Sequence, residues 1–312
     1  MKVFHSEAEV GPELGPSAVT IGKFDGVHSG HRAVIARLTA AATEESLTSV
    51  VVTFDRNPLE VVAPDRCPEA LVSLEQKLEL LAGTGVDATL VVRFDEAFAR
   101  VPAERFVTEY LVKALRARRV FVGSDFRFGA GNAGDVALLR RLGEAHGFTV
   151  ELIDDVVGTA GERVSSTRIR ELLARGEVDE AARLLGRAPM VRGLVVHGAK
   201  RGRELGFPTA NLSPRSEGLI PADGVYAGWL VDNGARHPAA ISVGNNPTFE
   251  GVPQKQVEAH VIGETIDLYD HEVEVVFTAR IRGMTAFRGI PALIEQIGDD
   301  VRVARGLLGL EG

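Results

Sequence analysis

The sequence predicts an α/β domain built on a parallel sheet, followed by a small antiparallel β-barrel and a closing helix. Three observations carry this. Short valine-rich runs alternate with helical segments as far as about Gly186, the pattern of a doubly wound sheet. Beyond Gly186-Arg187-Ala188-Pro189, short alternating runs follow one another with only turn residues between them, the pattern of a barrel. A chain of 312 residues is also long for one core, and two domains of roughly 150 residues each are expected. The boundary is placed between 1–186 and 187–312.

In the first domain the strands are expected at 18–22, 49–54, 88–94, 119–123 and 149–153. Continuous β-branched runs of this kind suit strands covered on both faces. Between them, Arg32 to Leu47, Ser73 to Ala82, Ala103 to Ala117 and Val136 to His146 have apolar residues at helical spacing and few breakers. In the second domain the strands are expected at 193–197, 225–231, 239–244, 256–262 and 273–281. A last helix starts near Pro291, which suits a first helical turn, and its stripe Leu293, Ile297, Val301, Ala304, Leu308 is expected to pack on the barrel.

Bulk composition excludes several classes. A net charge of -8 argues against a general nucleic-acid binder, so an anionic ligand must be held by local groups. Cys67 is the single cysteine, which rules out a disulfide framework and a thiolate metal cluster. Met1 to Ser17 carry charges and prolines instead of a leader's apolar core, and no segment approaches ~20 apolar residues, so a cytoplasmic protein without membrane partners is expected.

Chemistry concentrates first at G-K-F-D-G-V-H-S-G-H-R, which joins the first strand to a helix. The helix start offers free N–H groups at the carboxyl edge of the sheet, where phosphate is favoured. His28 and His31 could cap that helix. A zinc reading is weaker, since the spacing is not H-E-x-x-H and no cysteine joins in. The glycines match neither a phosphate loop of the G-x-x-x-x-G-K-[ST] type nor G-x-G-x-x-G. What remains is a pair of imidazole donors aimed at a nucleotide phosphate, with Gly22, Phe24, Asp25 and Gly30 around them.

H-S-G-H has the H-x-G-H form of the nucleotidyltransferase superfamily, and the longer stretch resembles the bacterial bifunctional riboflavin kinase/FMN adenylyltransferases, or FAD synthetases. V-T-F-D-R-N-P-L-E-V-V-A-P (52–64) is similar to the family's first flavin-side loop, implicating Phe54, Asn57 and Pro58. G-S-D-F-R-F-G (123–129) is similar to its second, implicating Asp125, Phe126 and Phe128, and two aromatics on a post-strand loop do suit a flat ring system. V-S-S-T-R-I-R (164–170) is similar to the superfamily's second phosphate motif, with Ser165, Ser166, Thr167 and Arg168 as candidates. One of those hydroxyls could equally be a helix N-cap.

The second constellation is G-L-V-V-H-G-A-K-R-G-R-E-L-G-F-P-T-A-N-L (193–212). Gly198, Lys200, Gly202, Arg203 and Gly206 form a glycine-basic loop able to wrap an anion with backbone N–H groups and charge, although it could also be a solvated turn. Thr209 and Asn211, two residues apart on an extended segment, face the same side and can jointly bind a hard cation such as Mg²⁺ through oxygen. P-T-A-N resembles the riboflavin kinase motif, and the resemblance runs from Arg192 to the chain end. In Q-V-E-A-H-V-I, Val257, Ala259 and Val261 fall on one face and Glu258 and His260 on the other. A surface carboxylate is the default for Glu258, whereas by resemblance it matches the catalytic base.

The resemblance implies riboflavin, FMN and ATP as substrates and products, with Mg²⁺ as cofactor. Homo-oligomer formation is left open. It also exposes three departures: Asp270 where many members have glycine, Phe287-Arg288-Gly289 where they have F-D-S, and Asp125 where they have asparagine. The rival readings are a single-activity nucleotidyltransferase and a flavin-responsive regulatory protein without catalysis.

Overall fold

The computed structural model describes residues 1–153, 164–197, 205–245, 255–285, 287 and 289–310. The chain forms two compact units, Met1–Val164 and Ser165–Gly312.

The first unit contains strands β1 (Lys2–Phe4), β2 (Ser17–Ile21), β3 (Thr48–Phe54), β4 (Ala88–Val92), β5 (Ala117–Gly123) and β6 (Thr149–Ile153). They form one sheet in the order β1-β4-β3-β2-β5-β6, with every neighbouring pair parallel. Its helices are α1 (Ser29–Glu44), α2 (Leu59–Val62), α3 (Leu74–Ala82), α4 (Glu96–Ala99), α5 (Ala103–Phe106) and α6 (Val136–His146). Val19, Val50, Val52 and Val120 pack into one apolar cluster, while Ala18, Val51 and Phe121 join another with Ile35 and Leu38 of α1. The sheet is therefore buried on both faces, which is why its strands read as unbroken apolar runs. Consecutive strands lie side by side from β2 to β4, and the chain then returns to place β5 on the far side of β2. That reversal opens a crevice at the carboxyl ends of β2 and β5.

The sequence underestimates this unit in two places. β1 is a three-residue edge strand of which only Phe4 is buried, too short for a period-2 pattern to register. The segment expected as one helix from Ala103 to Ala117 is instead α5 followed by a π-helical stretch, Val107–Ala114, and Ala117 already belongs to β5. The wider turns keep Val107, Leu111 and Ala114 buried.

The second unit opens with α7 (Ser166–Arg175) and α8 (Val178–Leu185), then β7 (Met190–Val196), β8 (Ala210–Leu212), β9 (Gly224–Asp232), β10 (Ala235–Asn245), β11 (Lys255–Val261), β12 (Glu272–Arg282) and α9 (Ile290–Leu307). The strands close into an antiparallel barrel in the order β10-β11-β8-β7-β12-β9, with the short β8 bridging β11 and β7. Helix α7 is tied to this barrel: the Leu173 carbonyl accepts from Ala222 N–H at 2.8 Å, and Arg280 Nη1 donates to the Arg175 carbonyl at 2.9 Å. Helix α9 rests on it through Val301, Ala304 and Leu308, against Ala227, Ala240 and Ile262. Buried Asp300 fastens that contact by accepting from Arg282 Nε at 2.9 Å and Nη2 at 2.6 Å. The strand β8 was legible only as an extended segment, because three residues cannot display a period.

Candidate active sites

At the crevice, β2 ends and the chain turns through three left-handed residues within four positions: Phe24 (φ 49°), Gly26 (φ 78°) and Val27 (φ 38°). For phenylalanine and a β-branched valine this costs on the order of 1–3 kcal/mol each. Burial of the Phe24 and Val27 side chains holds the turn in place. Gly22 N–H is anchored on the Val52 carbonyl at 3.0 Å, and Asp25 Oδ1 accepts from Leu71 N–H at 2.9 Å. The turn is thus fixed to β3 and to the segment entering α3.

His28 ends that turn as the N-cap of α1, its Nδ1 accepting from His31 N–H at 3.3 Å. An accepting Nδ1 leaves Nε2 to carry the proton of the neutral ring. The helix-cap and ligand readings are therefore compatible: one nitrogen of His28 caps, and the other is a donor. His31 stacks on His28 with ring centroids 3.6 Å apart and 16° between planes, and Phe24 flanks it at 5.0 Å. The His31 Nδ1 is buried without a hydrogen-bond partner. Burial pushes the His31 imidazole well below the usual histidine range, and His28, Lys23 and Lys77 push it further. His31 is neutral at neutral pH, so the stacked pair does not carry two charges. Gly30 is buried in the first turn of α1.

The loops after β3 and β5 flank this centre. Phe54, at the end of β3, packs edge-on to Phe94 at 5.4 Å. Asn57 Oδ1 accepts from Leu59 N–H at 3.2 Å beside Pro58, so this pair starts α2. After β5 the chain turns at Gly123, whose carbonyl accepts from Phe126 N–H at 3.2 Å. Asp125 is exposed at that turn. Phe126 and Phe128 stack at 5.5 Å with 17° between planes, Phe128 being buried and Phe126 half-buried. Gly129 is required here: its φ is +73°, and a Cβ would lie 2.6 Å from the Ala103 backbone.

Sequence reasoning missed Lys77. This buried lysine on α3 donates from Nζ to the Phe54 carbonyl at 2.8 Å and the Lys23 carbonyl at 3.4 Å. Burial pulls its pKa down to about 8, against the opposing pull of Asp25 and Asp55. Its signal was present in S-L-E-Q-K-L-E-L-L, where Lys77 occupies the same helical face as Leu74 and Leu81.

Among the second-motif hydroxyls, Ser165 caps α7, its Oγ accepting from Arg168 N–H at 3.2 Å. Ser166 and Arg168 are half-buried and Thr167 is exposed, with Arg168 paired to Glu171 at 3.2 Å. These four residues belong to the second compact unit.

In the barrel, β8 lies between β7 and β11, and its register sets Asn211 directly opposite Glu258. Directly paired residues share one face of a sheet with Cβ atoms about 5 Å apart. Asn211 Nδ2 donates to the Thr209 carbonyl at 3.1 Å and Oγ1 at 3.3 Å, bringing the two side chains together. Val257, Ala259 and Val261 are buried, and Glu258 and His260 face away from them, as the alternation predicts. His260 Nδ1 lies 2.8 Å from the Pro208 carbonyl and pins the entry of P-T-A-N. Thr209 and Asn211 line a cavity of about 270 Å³ whose other wall includes Val261, Asp267 and Tyr269. The Tyr269 ring meets His197 at 4.0 Å. Gly206 is exposed with φ +87°. Gly198, Lys200, Gly202 and Arg203 lie outside the described residues, as does the turn after Asn245. Asp270 adopts a left-handed φ of 62°, which explains why glycine is an alternative there.

A parallel sheet with a phosphate-type helix start and a barrel pairing hydroxyl and amide oxygens with a carboxylate together define a two-unit nucleotide-handling transferase. The FAD synthetase family model matches residues 11–168, and the riboflavin kinase family model matches residues 185–308. The chain is 40% identical to the bifunctional riboflavin kinase/FMN adenylyltransferase of Escherichia coli (strain K12), over 94% of this chain and 93% of that one. It is 38% identical to the protein of that name from Pseudomonas fluorescens, over 95% and 94%. The chain belongs to the bifunctional riboflavin kinase/FMN adenylyltransferase family. The crystal structure of a macrolide-efflux protein from Streptococcus pneumoniae superposes with a TM-score of 0.86 at 31% identity, covering 97% of this chain and 98% of that one. No helix among the described residues is long and apolar enough to cross a membrane.

Proposed function

We propose that the two activities divide along the chain, with residues 1–186 adenylylating FMN to FAD and residues 187–312 phosphorylating riboflavin to FMN. The enzyme is a riboflavin kinase and FAD synthetase. The observation that carries it is the pairing of Asn211 with Glu258 across β8 and β11, with Thr209 Oγ1 3.3 Å from Asn211 Nδ2.

In the kinase step Glu258 takes the proton of the ribityl 5'-hydroxyl as its oxygen attacks the γ-phosphorus of ATP, and the bond to the β-phosphate oxygen breaks to release ADP. Thr209 and Asn211 are neutral oxygen donors, and among the described residues no cluster of three His, Cys, Asp or Glu could hold a metal instead. Such a donor pair suits Mg²⁺, which takes few protein oxygens and completes its shell with phosphates and water. When bound, the ion neutralises phosphate charge. The loop Gly198, Lys200, Gly202, Arg203 and Gly206 supports the triphosphate.

In the adenylyl step an FMN phosphate oxygen attacks the α-phosphorus of ATP and pyrophosphate leaves, with no covalent enzyme intermediate. His28 and His31 stabilise the charge on the transferring phosphate, with Gly22, Phe24, Asp25 and Gly30 shaping the turn and Ser165, Ser166, Thr167 and Arg168 holding the departing phosphates. Phe54, Asn57, Pro58, Asp125, Phe126 and Phe128 form the flavin side. The partners are small molecules, and the protein works in the cytoplasm, consistent with its single cysteine.

The test incubates the purified chain with riboflavin, ATP and Mg²⁺ and separates the flavins by chromatography. FMN followed by FAD is expected. Neither product under varied conditions overturns the bifunctional reading.

A further inference from the structure

We propose that Lys77 is a positioning residue for adenylyl transfer, a buried clasp that fixes the nucleotide-side loop after β2 to the flavin-side loop after β3. The proposal rests on the assignment of the first unit to FAD formation. Its geometry is specific: one ammonium donates to the Phe54 carbonyl at 2.8 Å and to the Lys23 carbonyl at 3.4 Å, while Thr53 Oγ1 donates to that same Lys23 carbonyl at 3.1 Å. Lys23 immediately precedes the strained turn that delivers His28 and His31. Phe54 immediately precedes the segment that carries Asn57 and Pro58.

The clasp is delivered rigidly. Helix α3 starts with a capping box in which Ser73 Oγ accepts from Gln76 N–H and Gln76 Oε1 accepts from Ser73 N–H. Asp25 fastens the chain just ahead of it through Leu71 N–H. Burying a lysine is costly and a methionine would suit a core, so stability alone gives no reason for a cation here. A charge tying together two loops whose ligands must meet in line does give one.

Lys77 is surrounded by Asp25 and Lys23 on the post-β2 loop, by Asp55, paired to Arg56, on the post-β3 loop, and by His31 at the start of α1, with His28 stacked against it. The two carboxylates favour its charge and burial opposes it. The clasp therefore loosens as pH rises through about 8, where the lysine loses its charge.

The experiment uses full-length wild type, Lys77→Met and Lys77→Arg, measuring FAD from supplied FMN and, in the same preparations, FMN from riboflavin. Lys77→Met is expected to lower kcat/KM for FAD formation about ten- to hundredfold, raising KM for both FMN and ATP, with riboflavin phosphorylation unchanged. In wild type both KM values rise between about pH 7.5 and 9.5, and Lys77→Arg, which keeps its charge, removes that rise. Folded Lys77→Met with both KM values within about twofold of wild type overturns the clasp. If Lys77→Met fails to fold, wild type and Lys77→Arg decide: identical pH profiles overturn the clasp and different ones support it. Wild type that makes no FAD would remove the underlying assignment and the clasp with it, whereas FAD formation insensitive to Lys77 removes the clasp alone.

Discussion

The two proposed sites approach phosphate chemistry with opposite materials. In the sheet unit the candidate groups sit on a strained turn and a helix start, with their polar atoms held inside: a half-buried, neutral His31 whose Nδ1 is buried without a partner, and buried Lys77 with a pKa near 8. In the barrel the described groups sit on regular strands, with Asn211 and Glu258 matched by ladder register and both half-buried. The first arrangement holds its charge balance through burial, so it is sensitive to pH and to the packing beneath it. The second depends on strand pairing and should respond mainly to loss of the groups themselves.

The largest effect that would break this contrast is at Glu258. Glu258→Ala should slow FMN formation by about 10²–10⁴-fold while FAD formation from supplied FMN stays at the wild-type rate, measured by flavin chromatography. His28→Ala with His31→Ala should do the reverse, lowering FAD formation about 10²–10³-fold and sparing the kinase. Asn211→Ala should reduce FMN formation about ten- to hundredfold and raise the Mg²⁺ concentration needed for half-maximal rate.

Smaller effects sharpen it. Because the folded-state pKa of His31 is depressed, its contribution to stability is present above its unfolded value of about 6.5 and is lost as pH falls through the folded value. The first unit's melting temperature should therefore drop on acidification below about pH 6.5, and His31→Asn should flatten that drop. Ser165→Ala should cost about 1 kcal/mol through loss of the α7 cap, read from denaturant unfolding.

The same contrast governs what could be read from the residues alone. Alternation in Q-V-E-A-H-V-I separates Glu258 from the barrel interior, and two-residue spacing brings Thr209 and Asn211 together, because a strand repeats its geometry. H-S-G-H marks the helix start for a similar reason: caps and glycines have local causes. What escaped depends on contacts distant in sequence. The Nζ of Lys77 reaches carbonyls at positions 23 and 54, and nothing in its own helix encodes those partners. The left-handed backbone of Phe24 and Val27 escaped too, since neither residue favours it and only packing enforces it. The attachment of α7 to the barrel unit has the same origin, in hydrogen bonds from Ala222 and Arg280 to helix carbonyls.

The most direct test of two separate sites is complementation. Glu258→Ala and the His28/His31 double alanine variant are each incubated with riboflavin, ATP and Mg²⁺, alone and mixed, and the flavins are resolved by chromatography. Over a time in which wild type converts all the riboflavin, Glu258→Ala alone should leave most of it unconverted, the histidine variant alone should accumulate FMN with little FAD, and the mixture should yield FAD. A folded variant that loses both activities, or a mixture that accumulates FMN without FAD, would contradict the assignment of the two reactions to separate sites.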